Sequence, residues 1–100
     1  MKKKKIKFLK NFLNSKIPGD KKFKMPKFSS AVSIEEFLYE VEKDPILKKK
    51  IKKLIDIALS SKAKTIEKIY LKLENILYFL IICKYYSSKI VLKKLKNFNR

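Results

Sequence analysis

The sequence predicts an all-α protein, a small bundle of three to four helices with a long basic N-terminal arm and a short basic C-terminal tail. Between residues 34 and 95, apolar residues recur at intervals of three and four, which is the spacing of one helix face. Residues 61–86 form one long predicted helix whose middle is apolar on every side, so other helices or a partner must cover it. We expect the arm at residues 1–32, the helical body at 33–96 and the tail at 97–100.

The N-terminal arm carries most of the excess charge. Residues 1–28 hold eleven lysines and one acid, Asp20, and we predict that this segment lies outside the core. Ile6, Leu9, Phe12 and Leu13 recur at helical spacing, which indicates either a short basic amphipathic helix or a segment that orders only on a partner.

Two features follow within the arm. Pro18 and Gly19 have the residue types that the centre of a type II turn requires. From residue 21 to 28 lysines alternate with apolar residues, and Pro26 favours an extended path. Phe23 and Phe28 then have two open roles, which are stacking on unpaired bases or lying across the helical body.

The first two body helices have clear start signals. Ser33 and Glu36 form a capping box, so a helix begins at Ile34. Its acidic outer side is best explained as a solvated face that relieves self-repulsion or pairs with lysines of the body. Asp44 and Pro45 suit the N-cap and first position of a second helix, which runs to about Leu59. Its first turns are crowded with Lys48, Lys49, Lys50, Lys52 and Lys53, a conflict with the helix dipole that a bound anion would relieve.

The third predicted helix, at residues 61–86, is the spine of the bundle. Its apolar run is too short to span a membrane, because lysines and a glutamate bracket it. Cys83 in that run is expected to be buried. A short fourth helix is predicted around residues 90–95. Four short helices are not expected to enclose Tyr78, Phe79 and Ile82, which therefore form a predicted contact with neighbouring proteins.

Charge indicates the class of partner. The chain has 27 cations, 9 acids and a formal net charge of +18, so its natural counterpart is a polyanion, either nucleic acid or an anionic membrane surface. Arg100 is the only arginine, and lysines contact phosphates rather than reading base edges. More than half of the residues are types with AT-rich codons, which is typical of an AT-rich genome.

Nothing in the sequence predicts an enzyme. Histidine is absent, Cys83 is the only cysteine, and no nucleophile, base and orienting group occur together. No glycine-rich phosphate loop or metal-ligand cluster is present, so no cofactor and no metal are expected.

A helical body with basic ends and this composition resembles an organellar, mitochondrial ribosomal protein. One stretch is similar to the first helical hairpin of small-subunit ribosomal protein seven, and it comprises Asp44, Pro45, Leu54, Ile55, Asp56, Leu59, Lys62, Ile69 and Tyr70. The resemblance covers about 30 residues. The family's glycine and lysine pair falls here at Ser60, Ser61 and Lys62. The resemblance implies a phosphate-facing role for Lys62 and Lys64.

The resulting hypothesis is a structural rRNA-binding component of a ribosome, located in mitochondria or alternatively in the cytoplasm. The expected RNA-binding residues are Lys2, Lys3, Lys4, Lys5, Lys7, Lys10, Lys21, Lys22, Phe23, Lys24, Lys27, Phe28, Lys48, Lys49, Lys50, Lys52, Lys53, Lys62, Lys64, Lys93, Lys94, Lys96 and Arg100. The alternative is a small basic accessory subunit of a membrane-associated complex, with the amphipathic stretch near Phe12 on anionic lipid.

Overall fold

A computed structural model describes residues 2–22, 24–60 and 63–98. The described residues form six helices, which are α1 (Lys3–Lys16), α2 (Phe28–Ala31), α3 (Ile34–Glu42), α4 (Pro45–Leu59), α5 (Ala63–Ser87) and α6 (Lys89–Phe98). They contain no strand beyond one isolated bridge between Asp20 and Met25. The all-α small bundle is therefore confirmed, and α3 to α6 are the four predicted body helices.

Side-chain caps fix where α3 and α4 begin. The Ser33 hydroxyl accepts a hydrogen bond from the Glu36 N–H at 3.2 Å. The Asp44 carboxylate accepts from the Ile46 N–H at 3.0 Å, and Pro45 occupies the first turn of α4. Each cap contributes about 1 kcal/mol by satisfying N–H groups that have no partner within the helix. Both helices begin at the predicted residues because these signals are local.

The core lies between α5 and the helices around it. The inward face of α5 buries a residue at nearly every turn, and these are Ile69, Leu73, Leu77, Ile81 and Tyr85. α4 covers this face with Ile51, Ile55 and Ala58, and α6 folds back so that Val91 is buried as well. The predicted spine is therefore the central helix of the bundle.

The N-terminal arm differs from its prediction, because α1 is part of the core. Leu9 and Phe12 have no exposed surface, and the Phe12 ring lies 5.1 Å from the ring of Tyr70 in an edge-to-face contact. Lys16 binds Glu74 of α5 at 2.8 Å. Burial of each such apolar side chain stabilises the fold by about 1.5–3 kcal/mol, which outweighs repulsion among exposed lysines. The expectation that residues 1–28 lie outside the core is wrong for α1.

The connection from α1 to α2 is a closed loop. Gly19 has a φ of 88°, in keeping with the glycine of the predicted turn. Asp20 and Met25 exchange two backbone hydrogen bonds of 3.0 and 2.9 Å, so the chain turns back on itself where an extended path was expected. The Phe28 N–H then donates to the Ile17 carbonyl at 2.9 Å, which joins the start of α2 to the end of α1.

Tyr85 links this connection to α5. Its hydroxyl donates to the Pro26 carbonyl at 2.6 Å, and burial, followed by the nearby Tyr86, raises the pKa of Tyr85 above its usual value. A group whose folded pKa is raised contributes stability that is complete below its unfolded pKa, about 10, and is lost as pH rises through the folded pKa.

We therefore expect alkaline unfolding to depend on Tyr85. Above pH 10, ionisation of Tyr85 removes the hydrogen bond to Pro26, so the free energy of unfolding should fall. In Tyr85→Phe the free energy of unfolding should be about 1 kcal/mol lower at neutral pH, with a shallower decline above pH 10. Urea titrations between pH 7 and 11 test this expectation, and parallel pH profiles for the two proteins would contradict it.

Candidate nucleic-acid interface

The outer side of α1 is a continuous lysine face. Lys3, Lys4, Lys7 and Lys10, here named the α1 lysine face, are all exposed and lie opposite the buried residues Leu9, Phe12 and Leu13. In the described part of the chain, none of the four has a carboxylate within 4.0 Å. At 1.5 Å per residue, the face extends for about 10 Å. It places four uncompensated cations on one rigid surface.

Lys5, which lies one turn before the buried Leu9 on the inward side of α1, has a different role. It binds Asp56 of α4 at 2.7 Å and is mostly covered, so it joins α1 to α4 instead of facing solvent. This ion pair and the packing of the two helices hold α1 against α4. Lys2, which precedes α1, is exposed.

The predicted lysine cluster of α4 is divided by the fold. Lys49, Lys50 and Lys53 are exposed, whereas Lys52 is half-buried. Lys48 is also half-buried and lies 3.8 Å from Glu42 of α3. The dipole conflict at the start of α4 is thus partly relieved by the Asp44 cap and by Glu42.

The loop after α1 contributes cations but loses a predicted aromatic contact. Lys21, Lys22, Lys24 and Lys27 are exposed. Phe28 is 1 % exposed, and its ring lies 5.5 Å from the Phe37 ring in an edge-to-face contact. Phe28 is therefore a core residue with no face available for a base, because the loop returns it to the body.

The remaining predicted residues lie at the C-terminal end or outside the described residues. On α6, Lys93 and Lys96 are exposed and flank the exposed Leu92, while Lys94 is half-buried. Phe23, Lys62 and Arg100 lie outside the described residues, as does the side chain of Lys64.

The predicted protein-contact surface on α5 is exposed in part. Phe79 is 80 % exposed and Tyr78 is 52 % exposed, whereas Ile82 is half-buried beside Lys16 and Glu74. Cys83 is exposed, so the expectation that it is buried is wrong. It lies one turn after Phe79 on the outer side of the helix, and a segment that is apolar all round gives no signal of which side faces inward.

A cleft that the sequence does not predict lies between α4 and α5. It has a volume of about 460 Å³ and is here named the basic cleft, lined by Lys50, Lys53, Leu54, Ile57, Lys72, Asn75 and Ile76. No carboxylate is among the lining residues. Lys72 and Asn75 could not be assigned from sequence, because their position beside Lys50 and Lys53 depends on how α4 packs against α5.

The acidic residues are concentrated elsewhere. Glu40 of α3 lies 3.2 Å from Lys43 and 3.4 Å from Lys84 of α5. The hydrogen bond from Lys43, together with the charges of both lysines, lowers the pKa of Glu40. Two carboxylates of α3, those of Glu40 and Glu42, therefore pair with lysines of the body.

Across residues 2–22, 24–60 and 63–98, no three histidine, cysteine, aspartate or glutamate side chains are grouped to hold a metal ion. No helix within these ranges is long and apolar enough to cross a membrane.

Comparison with known proteins gives no relative, since no protein-family model, curated protein or solved structure matches the chain. Inference about function therefore depends on the surface of this protein alone.

Proposed function

We propose that the protein is a structural RNA-binding component of a ribosome, in which exposed lysines neutralise rRNA phosphates. The observation that carries the proposal is the α1 lysine face, a row of four exposed cations that have no acidic partner among the described residues, on a helix anchored in the core. Lys49 of α4 and the lysines of the loop after α1 are also exposed and add further positive charge to the surface. The high share of residue types with AT-rich codons supports a mitochondrial ribosome as the location.

Binding at this surface is electrostatic. Each lysine that contacts a phosphate releases condensed counterions, which favours binding and makes it dependent on salt. Lysine contacts position the RNA backbone and do not identify bases, so preference among RNAs comes from the shape of the folded RNA. Because α1 is held by Phe12 in the core and by the ion pairs of Lys5 and Lys16, the helix that carries the lysine face is fixed in position before RNA binds.

The structure favours RNA over the membrane alternative. That alternative requires the apolar side of α1 to face lipid, and Leu9, Phe12 and Leu13 are instead buried in the bundle. Insertion into a bilayer would first require α1 to detach from the core. The lysine face needs no such rearrangement to contact RNA.

The test compares two variants that remove the same charge. Lys7→Gln with Lys10→Gln removes half of the α1 lysine face, and Lys68→Gln with Lys89→Gln removes two exposed lysines outside the predicted RNA-binding set. For a structured RNA hairpin, the first variant should reduce the slope of log affinity against log salt by about 1.4–1.8, with several-fold weaker binding at low salt. The second should change the slope much less. Fluorescence anisotropy between 50 and 300 mM KCl measures both.

Two results would contradict the proposal. Equal losses in the two variants would mean that RNA responds to net charge and not to this face. An affinity independent of salt would exclude the phosphate mechanism altogether.

A further inference from the structure

The outer side of α5 combines exposed apolar residues with neighbouring cations. Leu71, Tyr78, Phe79 and Tyr86, here named the α5 stripe, are 46–80 % exposed and recur at helical spacing. They extend for about 22 Å along the helix. The same helix also contributes Lys72, Asn75 and Ile76 to the lining of the basic cleft. The stripe and the cleft are therefore adjoining surfaces.

We propose that this combined surface binds an acidic amphipathic helix of a partner protein. Apolar side chains of that helix fill the basic cleft over Leu54, Ile57 and Ile76 and continue onto the stripe. Its carboxylates lie along one edge and meet Lys50, Lys53 and Lys72. The lining contains three lysines and no carboxylate, so the cleft is complementary in charge to such a helix. An apolar groove that receives an amphipathic helix is a common mode of peptide recognition.

The lining of the cleft favours a protein helix over an RNA base. Leu54, Ile57 and Ile76 supply the apolar part of its lining, which matches the apolar face of a helix. Single-stranded RNA is instead bound through aromatic faces, which the cleft lacks. A planar lipid surface does not enter a cleft between two helices.

A second copy of the chain is a poor occupant. Its acidic amphipathic helix is α3, and the apolar face of α3 is already used, since Phe37 and Val41 have no exposed surface. Docking α3 of another copy would require that copy to unfold in part. The occupant is therefore a different protein with an unpaired acidic helix.

This inference is independent of RNA binding. It assigns Lys50 and Lys53 of α4 to a protein partner, whereas the α1 lysine face remains available for RNA. The α1 variants of the preceding test leave the cleft unchanged, and cleft variants leave α1 unchanged. The two proposals therefore fail separately.

The probe is a synthetic helical peptide with leucines on one face and glutamates along one edge. Two control peptides are used, one with glutamine in place of glutamate and one with the same composition in scrambled order. Binding to the full chain is measured by fluorescence anisotropy at 150 mM salt. The variants are Lys72→Glu, Ile76→Ser and the matched charge reversal Lys89→Glu, which lies on α6 outside the cleft.

We expect the glutamate peptide to bind at least tenfold more tightly than either control peptide. Lys72→Glu and Ile76→Ser should each weaken this binding about tenfold, while Lys89→Glu should change it less than threefold. A lysine-edged peptide should bind Lys72→Glu more tightly than wild type. This exchange of charge identifies the cleft as the contact.

Four outcomes would overturn the proposal. One is equal affinity for the glutamate and scrambled peptides, and another is an equal loss in Lys72→Glu and Lys89→Glu. In a third, Lys72→Glu and Ile76→Ser weaken the binding of single-stranded RNA or of anionic vesicles but do not weaken the binding of the peptide. The fourth is a dimer in sedimentation equilibrium that Ile76→Ser dissociates.

Discussion

Replacing Phe12 with alanine is expected to destabilise the protein by about 3–5 kcal/mol, the usual cost of truncating a buried phenylalanine. Phe12 has no exposed surface, and its ring contacts that of Tyr70 on α5 at 5.1 Å. Small domains are stable by only about 5–15 kcal/mol, so this loss removes much of the total. Urea denaturation followed by circular dichroism should show a large decrease in midpoint with an unchanged slope.

The control is Asn11→Ala on the same helix. Asn11 is exposed, so this substitution should change the free energy of unfolding by less than about 0.5 kcal/mol. If Phe12→Ala were equally mild, α1 would not be part of the core in solution. The prediction of a separate N-terminal arm would then be correct after all.

The elements that sequence predicts well are those with local signals. Ser33 and Asp44 cap helices through N–H groups two or three residues away, and those contacts need no knowledge of the rest of the fold. The position of α1 depends instead on contacts across 58 residues, such as the one between Lys16 and Glu74. Lysine spacing in α1 is compatible with either a free or a docked helix, and burial of its apolar face decides between them.

The candidate interface also combines features that local sequence predicts with features that depend on the packing of distant helices. That Lys3, Lys4 and Lys7 would be exposed follows from charge alone, since lysines are rarely buried. That Lys5 is occupied by Asp56 depends on the packing of α1 against α4. The basic cleft requires α4 and α5 to lie side by side, which no spacing within either helix encodes.

The surface of the protein therefore has two parts with different physical character, one of exposed lysines and one of exposed apolar side chains. Lysines whose helices bury strong apolar faces are fixed in position and suit a rigid polyanion. The α5 stripe has the opposite character, because 25 consecutive helical residues carry more apolar side chains than the surrounding helices cover. Under the two proposals made above, RNA neutralises the α1 lysine face and a partner protein covers the α5 stripe.

Gly19→Ala is the second substitution with a large expected effect on stability. Gly19 has a φ of 88°, which costs a residue with a side chain about 1–3 kcal/mol. An added Cβ would also lie 2.9 Å from both the Lys27 nitrogen and the Met25 oxygen, which are backbone atoms that cannot rotate away. The loop would have to open, and the hydrogen bond between Tyr85 and Pro26 would be lost with it.

Lys24→Gly in the same loop provides the contrast. Lys24 has a φ of 55°, so glycine relieves strain there while adding freedom to the unfolded chain, and the two effects nearly cancel. We expect Gly19→Ala to lower the urea midpoint strongly. Lys24→Gly should leave the free energy of unfolding within about 1 kcal/mol of wild type. Equal midpoints for the two variants would show that the loop tolerates a Cβ at residue 19. Because α1 reaches α2 through this loop, a loss confined to Gly19→Ala would show that the closed turn holds the N-terminal arm on the bundle.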